Sequence, residues 1–271
     1  MSDRLLDAVQ AGVRVIDLGR PMFVGMPQSP NHAAYWHTLS RRHGDVVRED
    51  GASAAADTIV TGTHVGTHID ALAHVSFKGL LHGGADAYEA CVGGRYPVHG
   101  VNAIEPMFGR GVLLDIPRLL GVERCAGGHE ITVAELEAAE RASGVRASAG
   151  DVVLIRSGWG QLFEQGNSAY VGKESGVPGV SEAGARWIAE RQVLAAGADT
   201  IAFERLAPGG GHALLPAHNV LLVEAGIYII EALDLEVLSR SRVTEFTFVL
   251  VPLNLSGATG SPVRPLAVVS A

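Results

Sequence analysis

The sequence is poor in the residues on which several classes of protein depend. Its 271 residues include only two cysteines, Cys91 and Cys125, which form no CxxC pair, so a disulfide-stapled scaffold is excluded. No apolar run reaches the roughly 20 residues of a transmembrane helix, because the most apolar long stretch, residues 214–238, contains a histidine and several carboxylates. The first residues include acidic side chains where a signal peptide is basic and then apolar. We therefore expect a soluble, cytoplasmic protein.

Basic charge is also scarce. The 21 lysines and arginines are outnumbered by 29 aspartates and glutamates, which gives a net charge of −8. No basic run is present, so we expect the protein to bind neither nucleic acid nor an anionic membrane. With 47% hydrophobic residues the chain has ample material for a core, which excludes intrinsic disorder. Since no repeat, linker or charge block divides it, we expect one domain over residues 1–271.

The pattern of apolar and turn residues predicts a mixed α/β fold. Thr132 and Glu135 have the spacing of a helix capping box, and Gly144 and Gly226 are typical helix stops. Helices are fewer than strands and do not alternate strictly with them, which favours a mixed sheet over a doubly wound parallel one. The predicted helices cover residues 132–143, 181–196 and 214–225. The predicted strands cover residues 13–18, 58–63, 111–115, 151–156, 200–203, 227–230 and 245–253.

Four side chains that can bind a metal occur within 11 residues: His64, His68, Asp70 and His74. Imidazole and carboxylate are ligands that suit Zn, Mn or Fe. A straight strand would separate His64 from His68 by about 13 Å, whereas a straight helix would turn Asp70 away from both. A single ion bound by these three residues requires the chain to bend, and a bend costs least at Gly66. Chance clustering is the alternative, because the chain has 11 histidines.

A second candidate pair, His218 and Glu231, lies far downstream. Glu231 ends an apolar run, and buried carboxylates are rare unless they are paired or metal-bound. Glu224 is expected to face solvent from the middle of a helix, and His212, which follows three glycines, is expected to be a loop residue. A purely structural role for His218 and Glu231 stays open at this point.

The stretch from His64 to His74 resembles the motif of the metal-dependent hydrolases called the cyclase family, which includes bacterial kynurenine formamidases and isatin hydrolases. The formamidases usually carry proline two residues after the motif aspartate, whereas this chain has Leu72 and resembles a longer Asp-Ala-Leu branch. The resemblance continues in order along the chain. Its further segments are Asp17–Pro21, Gly25–Pro27, Gly150–Trp159, Gly197–Thr200 with Glu204, and Leu215–Leu235.

The resemblance implies a fold and a set of metal ligands. The fold would be a compact mixed-sheet α/β domain of the kynurenine formamidase type, with a swivelling β/β/α-like arrangement. His64, His68 and Asp70 match the family's first metal site. His218 and Glu231 match the ligands of a second ion, with Asp70 as the bridge. The cofactor would be a divalent metal, Zn or Mn, with one or two ions per subunit, and the subunits would form a homodimer or homotetramer.

The remaining site residues concern catalysis and substrate. His74 matches the histidine that the family uses for acid–base work or for contacts to the second ion. Three aromatic residues, Trp36, Phe77 and Trp159, are candidates for lining a pocket for a small aromatic amide or cyclic imide, although core packing is the alternative for each.

The hypothesis for the reaction is hydrolysis of an amide C–N bond. Metal-bound hydroxide would attack the carbonyl, and His74 would move the proton to the leaving nitrogen. One alternative is a polyketide-type cyclase in which the metal acts as a Lewis acid. Another is a non-catalytic protein that binds a metal or ligand on the same scaffold.

Overall fold

The computed structural model describes residues 4–271, and it is built around one large sheet. The strands are β1 (Val13–Asp17), β2 (Trp36–Arg41), β3 (Ala56–Val60), β4 (His68–Asp70), β5 (Met107–Asp115), β6 (Glu130–Ile131), β7 (Val152–Arg156), β8 (Gly179–Val180), β9 (Ala195–Ala198), β10 (Tyr228–Glu231), β11 (Glu245–Leu250), β12 (Gly260–Pro262) and β13 (Leu266–Ser270).

The helices are short and lie between these strands. They are α1 (Arg4–Ala11), α2 (Ile116–Leu120), α3 (Val133–Ser143), α4 (Asn167–Val171), α5 (Glu182–Ala189), α6 (Pro216–His218) and α7 (Glu236–Arg240). A π-helical segment, Asn219–Ala225, continues α6. The 3-10 segments are His82–Gly84, Val101–Ala103, Trp159–Gln165 and Gly211–Ala213. Within residues 4–271, the helices are all too short or too polar to cross a membrane.

The main sheet has nine strands in the order β1-β13-β11-β5-β7-β9-β10-β4-β12. The four central strands, β5, β7, β9 and β10, are parallel, and the outer strands pair antiparallel. The predicted mixed α/β sheet is therefore confirmed. Two small ribbons, β2–β3 and β6–β8, complete the strand pairing.

Hydrophobic clusters cover both faces of the sheet. Along β7, Val153 and Ile155 belong to one cluster, whereas Val152 and Leu154 belong to the other. This alternation follows from the two-residue period of a strand. Every residue of β7 is buried, and its first four residues form the continuous apolar run expected of a parallel strand that is covered on both sides.

Several sequence-based boundaries are confirmed. Thr132 caps α3 in a complete capping box with Glu135, and Gly144 ends that helix in the left-handed conformation. Gly226 ends the segment that continues α6 in the same way. The strands predicted over residues 13–18, 111–115, 151–156, 227–230 and 245–253 correspond to β1, β5, β7, β10 and β11, and the strand predicted over residues 58–63 corresponds to β3, shifted toward residue 56.

Two predictions in the region 181–203 are wrong. The predicted helix 181–196 ends as α5 at Ala189, and its last two residues belong to β9. The predicted strand 200–203 consists of bends. The alanines of β9 favour a helix by propensity, but the sheet requires small residues there. A Cβ on Gly197 would lie 2.8 Å from Leu233 Cδ1 and 2.9 Å from Leu154 Cδ2, so small side chains let larger neighbours pack over this central strand.

Candidate metal centre

Strand pairing brings the first two candidate ligands together. β4 lies between β10 and β12, and the register pairs His68 with Glu231. Residues directly opposite in an antiparallel pair point to the same face, so these two side chains meet. The distance from His68 Nε2 to Glu231 Oε2 is 3.5 Å. Ligands separated by more than 160 residues in the sequence are thus set side by side by the sheet.

A bend at Gly66 places His64 next to Asp70. Gly66 has a φ of +71°, which confirms the position at which the spacing predicted the bend. His64 Nδ1 lies 2.7 Å from Asp70 Oδ1, and His64 Nε2 lies 2.9 Å from Thr259 Oγ1. The His64 ring also packs on the backbone of β12, because a Cβ on Gly260 would lie 2.5 Å from His64 Cε1.

His218 comes from a different element and joins the same group. It is the last residue of α6, and it is 3% exposed. Its Nε2 lies 3.5 Å from Asp70 Oδ2 and 3.3 Å from Glu231 Oε1. Because His68 Nε2 is in turn 3.5 Å from Asp70 Oδ1, the four side chains form a closed ring of donor atoms.

This ring has the dimensions and chemistry of a metal site. The successive contacts around the ring measure 3.3–3.5 Å, and each carboxylate faces one histidine with each of its two oxygens, while nitrogen and oxygen donors of this kind suit a divalent ion. Asp70 Oδ2 is buried without a hydrogen-bond partner, which leaves its lone pairs available. The residues present therefore fit a divalent cation. The group His68, Asp70 and Glu231 and the group His64, Asp70 and His74 each bring their donor atoms within 4.8 Å of one another.

The geometry groups these residues differently from the expected assignment. His68 lies with Glu231 and His218, whereas His64 lies with His74, whose ring is stacked on it at a centroid distance of 3.8 Å. Asp70 belongs to both groups, and its expected bridging of two ions stays a prediction. The assignment of each residue to a first or second ion stays a prediction.

Burial and crowding of charge control the protonation of the centre. Burial lowers the pKa of His68 to about 4 and that of His74 to about 3, so both imidazoles are neutral at pH 7. Burial and the nearby Asp70 carboxylate raise the pKa of Glu231 to about 7, although His218 opposes the shift. Burial alone would lower the pKa of His218, but the surrounding carboxylates, Glu204 first among them, raise it well above the ordinary value. A cation bound among these carboxylates would relieve their mutual repulsion.

Two residues near the centre were given no role in the site by the sequence analysis, although Glu204 belongs to one of the segments that resemble the family. His32, half-buried, lies 5.2 Å from the His64 ring and 6.3 Å from the His74 ring, measured between centroids. Glu204 is 1% exposed, and its carboxylate lies 2.8 Å from His218 Nδ1. The signal for a buried Glu204 is an acidic residue directly after the apolar residues 201–203, which resembles the signal at Glu231.

The three aromatic candidates lie in different environments. Trp159 is 4% exposed in a core cluster, where its indole N–H donates to the Tyr170 carbonyl at 2.7 Å. Trp36 is 63% exposed on β2, and Phe77 is 41% exposed. Their roles toward substrate stay predictions. Glu224, expected to face solvent, forms an exposed ion pair with Arg186.

Comparisons with known proteins agree with this architecture. A model of the family described as "Putative cyclase" matches residues 16–205. The rice protein "Cyclase-like protein 3" (Oryza sativa subsp. japonica) is 26% identical over 222 residues, which cover 79% of this chain but only 66% of the rice protein, just under two thirds of its length.

Two solved structures extend the similarity to nearly the whole chain. The crystal structure of a novel cyclase is 28% identical with a TM-score of 0.84, and the match covers 98% of this chain and 93% of that one. Isatin hydrolase A from Ralstonia solanacearum is 25% identical with a TM-score of 0.75, and the match covers 99% and 98% of the two chains. The family match spans well over half of the sequence and the fold agrees throughout, so this chain belongs to the cyclase family.

Proposed function

We propose that the protein is a metal-dependent hydrolase that cleaves an amide C–N bond in an aryl formamide or a cyclic amide or imide. The observation that carries this proposal is the closed ring of His68, Asp70, His218 and Glu231, with successive contacts of 3.3–3.5 Å between their donor atoms. The similarity to an isatin hydrolase, which by its name acts on a cyclic amide, supports the choice of bond.

Each group in the centre has a defined task in this reaction. A divalent metal, Zn or Mn, bound by the ring would supply Lewis acidity, which polarises a carbonyl and lowers the pKa of water. The nitrogen and oxygen donors suit either ion. The adjacent group of His64, His74 and Asp70 offers a place for a second ion.

His74 is the proposed acid–base residue. It is half-buried, and its ring lies 3.8 Å from that of His64 and 6.1 Å from that of His218, measured between centroids. Burial lowers its pKa to about 3, so the imidazole is neutral at pH 7 and would hold a proton from the attacking water only transiently. It can then return the proton to the leaving nitrogen, which must be protonated before the C–N bond breaks.

The first experiment combines metal analysis with a substrate panel. We expect one or two ions per chain after purification without chelators, and metal-dependent turnover of N-formylanilines or isatin-like cyclic amides in the same preparation. His68→Ala should lose one ion and at least about 100-fold in kcat/KM, since the Lewis-acid contribution amounts to several kcal/mol. His43→Ala is the matched control, because His43 is an exposed histidine in the connection between β2 and β3, where it forms a hydrogen bond with Ser53.

The products distinguish hydrolysis from the other candidates. In ¹⁸O-labelled water, hydrolysis places one labelled oxygen in the carboxylate product. A ring-closing reaction without incorporation of label would favour cyclisation, to which the name of the structure with a TM-score of 0.84 points. Tight binding of these compounds without turnover, at full metal occupancy, would favour a binding protein. Either result would contradict the proposed hydrolysis.

A further inference from the structure

The backbone at Glu204 is held in a tight, defined position. Val180 N–H donates to the Phe203 carbonyl at 3.2 Å, and Arg205 N–H donates to the Val180 carbonyl at 3.3 Å. β8 approaches so closely that a Cβ on Gly179 would lie 2.2 Å from the Glu204 carbonyl carbon. The backbone of Glu204 is therefore fixed. Its carboxylate contacts the Nδ1 edge of the His218 ring, whereas Asp70 and Glu231 contact the Nε2 edge.

The carboxylate of Glu204 accepts two hydrogen bonds from His218. Its Oε2 lies 3.1 Å from the backbone N–H of His218 and 3.0 Å from Nδ1 of the imidazole. Both side chains are almost completely buried. The backbone bond fixes where α6 carries His218, and the Nδ1 bond fixes the rotation of its ring.

These contacts leave one direction for the other ring nitrogen. With Nδ1–H donated to Glu204, Nε2 is the nitrogen that faces Asp70 Oδ2 at 3.5 Å and Glu231 Oε1 at 3.3 Å, and it would offer its lone pair to a cation bound there. A histidine that binds a metal commonly donates its second nitrogen to a carboxylate in this way, which fixes the tautomer and makes it a better ligand.

We propose that Glu204 is a positioning residue that orients His218 toward the metal centre, through hydrogen bonds to both its backbone and its ring, without itself binding the ion. The inference rests on the metal centre of the proposed function, but not on the identity of the substrate. It adds a carboxylate from the loop after β9 to the ring, whose own residues lie on β4, β10 and α6.

The test measures metal binding rather than turnover. Zn²⁺ is titrated by calorimetry into the full-length chain after chelator treatment, for the wild type, Glu204→Gln and Glu204→Ala. We expect Glu204→Ala to lower the affinity for one Zn²⁺ ion by about 10- to 100-fold, the usual effect of removing a hydrogen-bond partner of a metal ligand. Glu204→Gln should give a smaller loss, because the amide oxygen can still accept from His218.

Glu140 provides the matched control. It is a buried glutamate of α3 that also accepts a backbone hydrogen bond, from Ala147 N–H at 2.8 Å, and it pairs with Arg191. Glu140→Ala should lower the melting temperature but leave the affinity for Zn²⁺ unchanged. Equal Zn²⁺ affinities in Glu204→Ala and the wild type would overturn the proposal, as would an equal loss in Glu140→Ala.

A spectroscopic readout covers the case in which Glu204→Ala does not fold. In ¹⁵N spectra of the Zn²⁺-loaded protein, His218 should carry its proton on Nδ1 in the wild type, and this proton should exchange faster in the isosteric Glu204→Gln variant. A proton on Nε2 in the wild type would overturn the proposal. If these results are as expected but no amide is cleaved, the proposed function fails while the role of Glu204 stands.

Discussion

At the scale of single residues, His74 is the clearest point at which ligand and catalyst can be told apart. Its imidazole is half-buried and stacked on His64, outside the ring of donors formed around Asp70. We expect His74→Ala to retain the ion bound by that ring and to lose about 10²- to 10⁴-fold in kcat, the usual contribution of a positioned acid–base group.

The measurement is kcat with metal content determined on the same sample. Loss of an ion together with activity would show that His74 is a ligand, in the group with His64 and Asp70. Unchanged kcat would exclude both roles. Full occupancy with reduced kcat is the only result that agrees with the proposed proton transfer.

The residues of the centre could be predicted from sequence, but their grouping could not. The short spacing from His64 to His74 marks a cluster of ligands, and the apolar run before Glu231 marks a buried acid. Which histidine faces which carboxylate depends on the register that pairs His68 with Glu231 across β4 and β10. A register is a property of the folded sheet, and it has no local signal in either segment.

At the scale of elements, the bend at Gly66 sets the positions of His64 and His68 relative to each other in the centre. Its φ of +71° costs other residues about 1–2 kcal/mol, but the nearest atom to an added Cβ would be Met22 Cγ at 3.4 Å. Gly66→Ala should thus be destabilised by backbone strain rather than by a clash. We expect a loss of about 1–2 kcal/mol in the free energy of unfolding and weaker metal binding, because His64 and His68 flank the bend.

Gly44→Ala is the control for this strain. Gly44 has a φ of +88° with nothing within 4 Å of an added Cβ, and it lies in the outer β2–β3 connection. Denaturant unfolding should show a similar loss for both variants, whereas calorimetry should show weaker metal binding for Gly66→Ala alone. Equal metal affinity in the two would mean that the bend does not shape the centre.

The same scale explains where sequence patterns failed. β4 has three residues, too few to show the alternation of apolar and polar residues that marks a strand. The strand that carries His68 and Asp70 could therefore not be recognised in the sequence. In β9, Ala195–Ala198 resembles a helix by propensity but pairs between β7 and β10. By contrast, α3 was predicted with its correct ends because its capping box and Gly144 are local signals.

At the scale of the whole molecule, the centre depends on both halves of the chain. The family match ends at residue 205, before His218 and Glu231. β10, which carries Glu231, lies inside the sheet between β9 and β4, and β13 at the far end of the sequence pairs with β1. Since ligands and central strands are interleaved in this way, the ligands meet only when these strands are paired.

Metal binding should therefore stabilise the entire fold. Binding to the folded state alone adds about 2.7 kcal/mol to the free energy of unfolding when the free ion is at 100 times its Kd. For a chain of this size we expect a rise of roughly 5–10 °C in melting temperature, reversed by a chelator. In thermal scans with Zn²⁺ or Mn²⁺, His68→Ala should lose most of the rise and His43→Ala should keep it. An equal rise in His68→Ala would place the stabilising ion elsewhere, because His68 is the residue that β4 pairs with Glu231 in the proposed site.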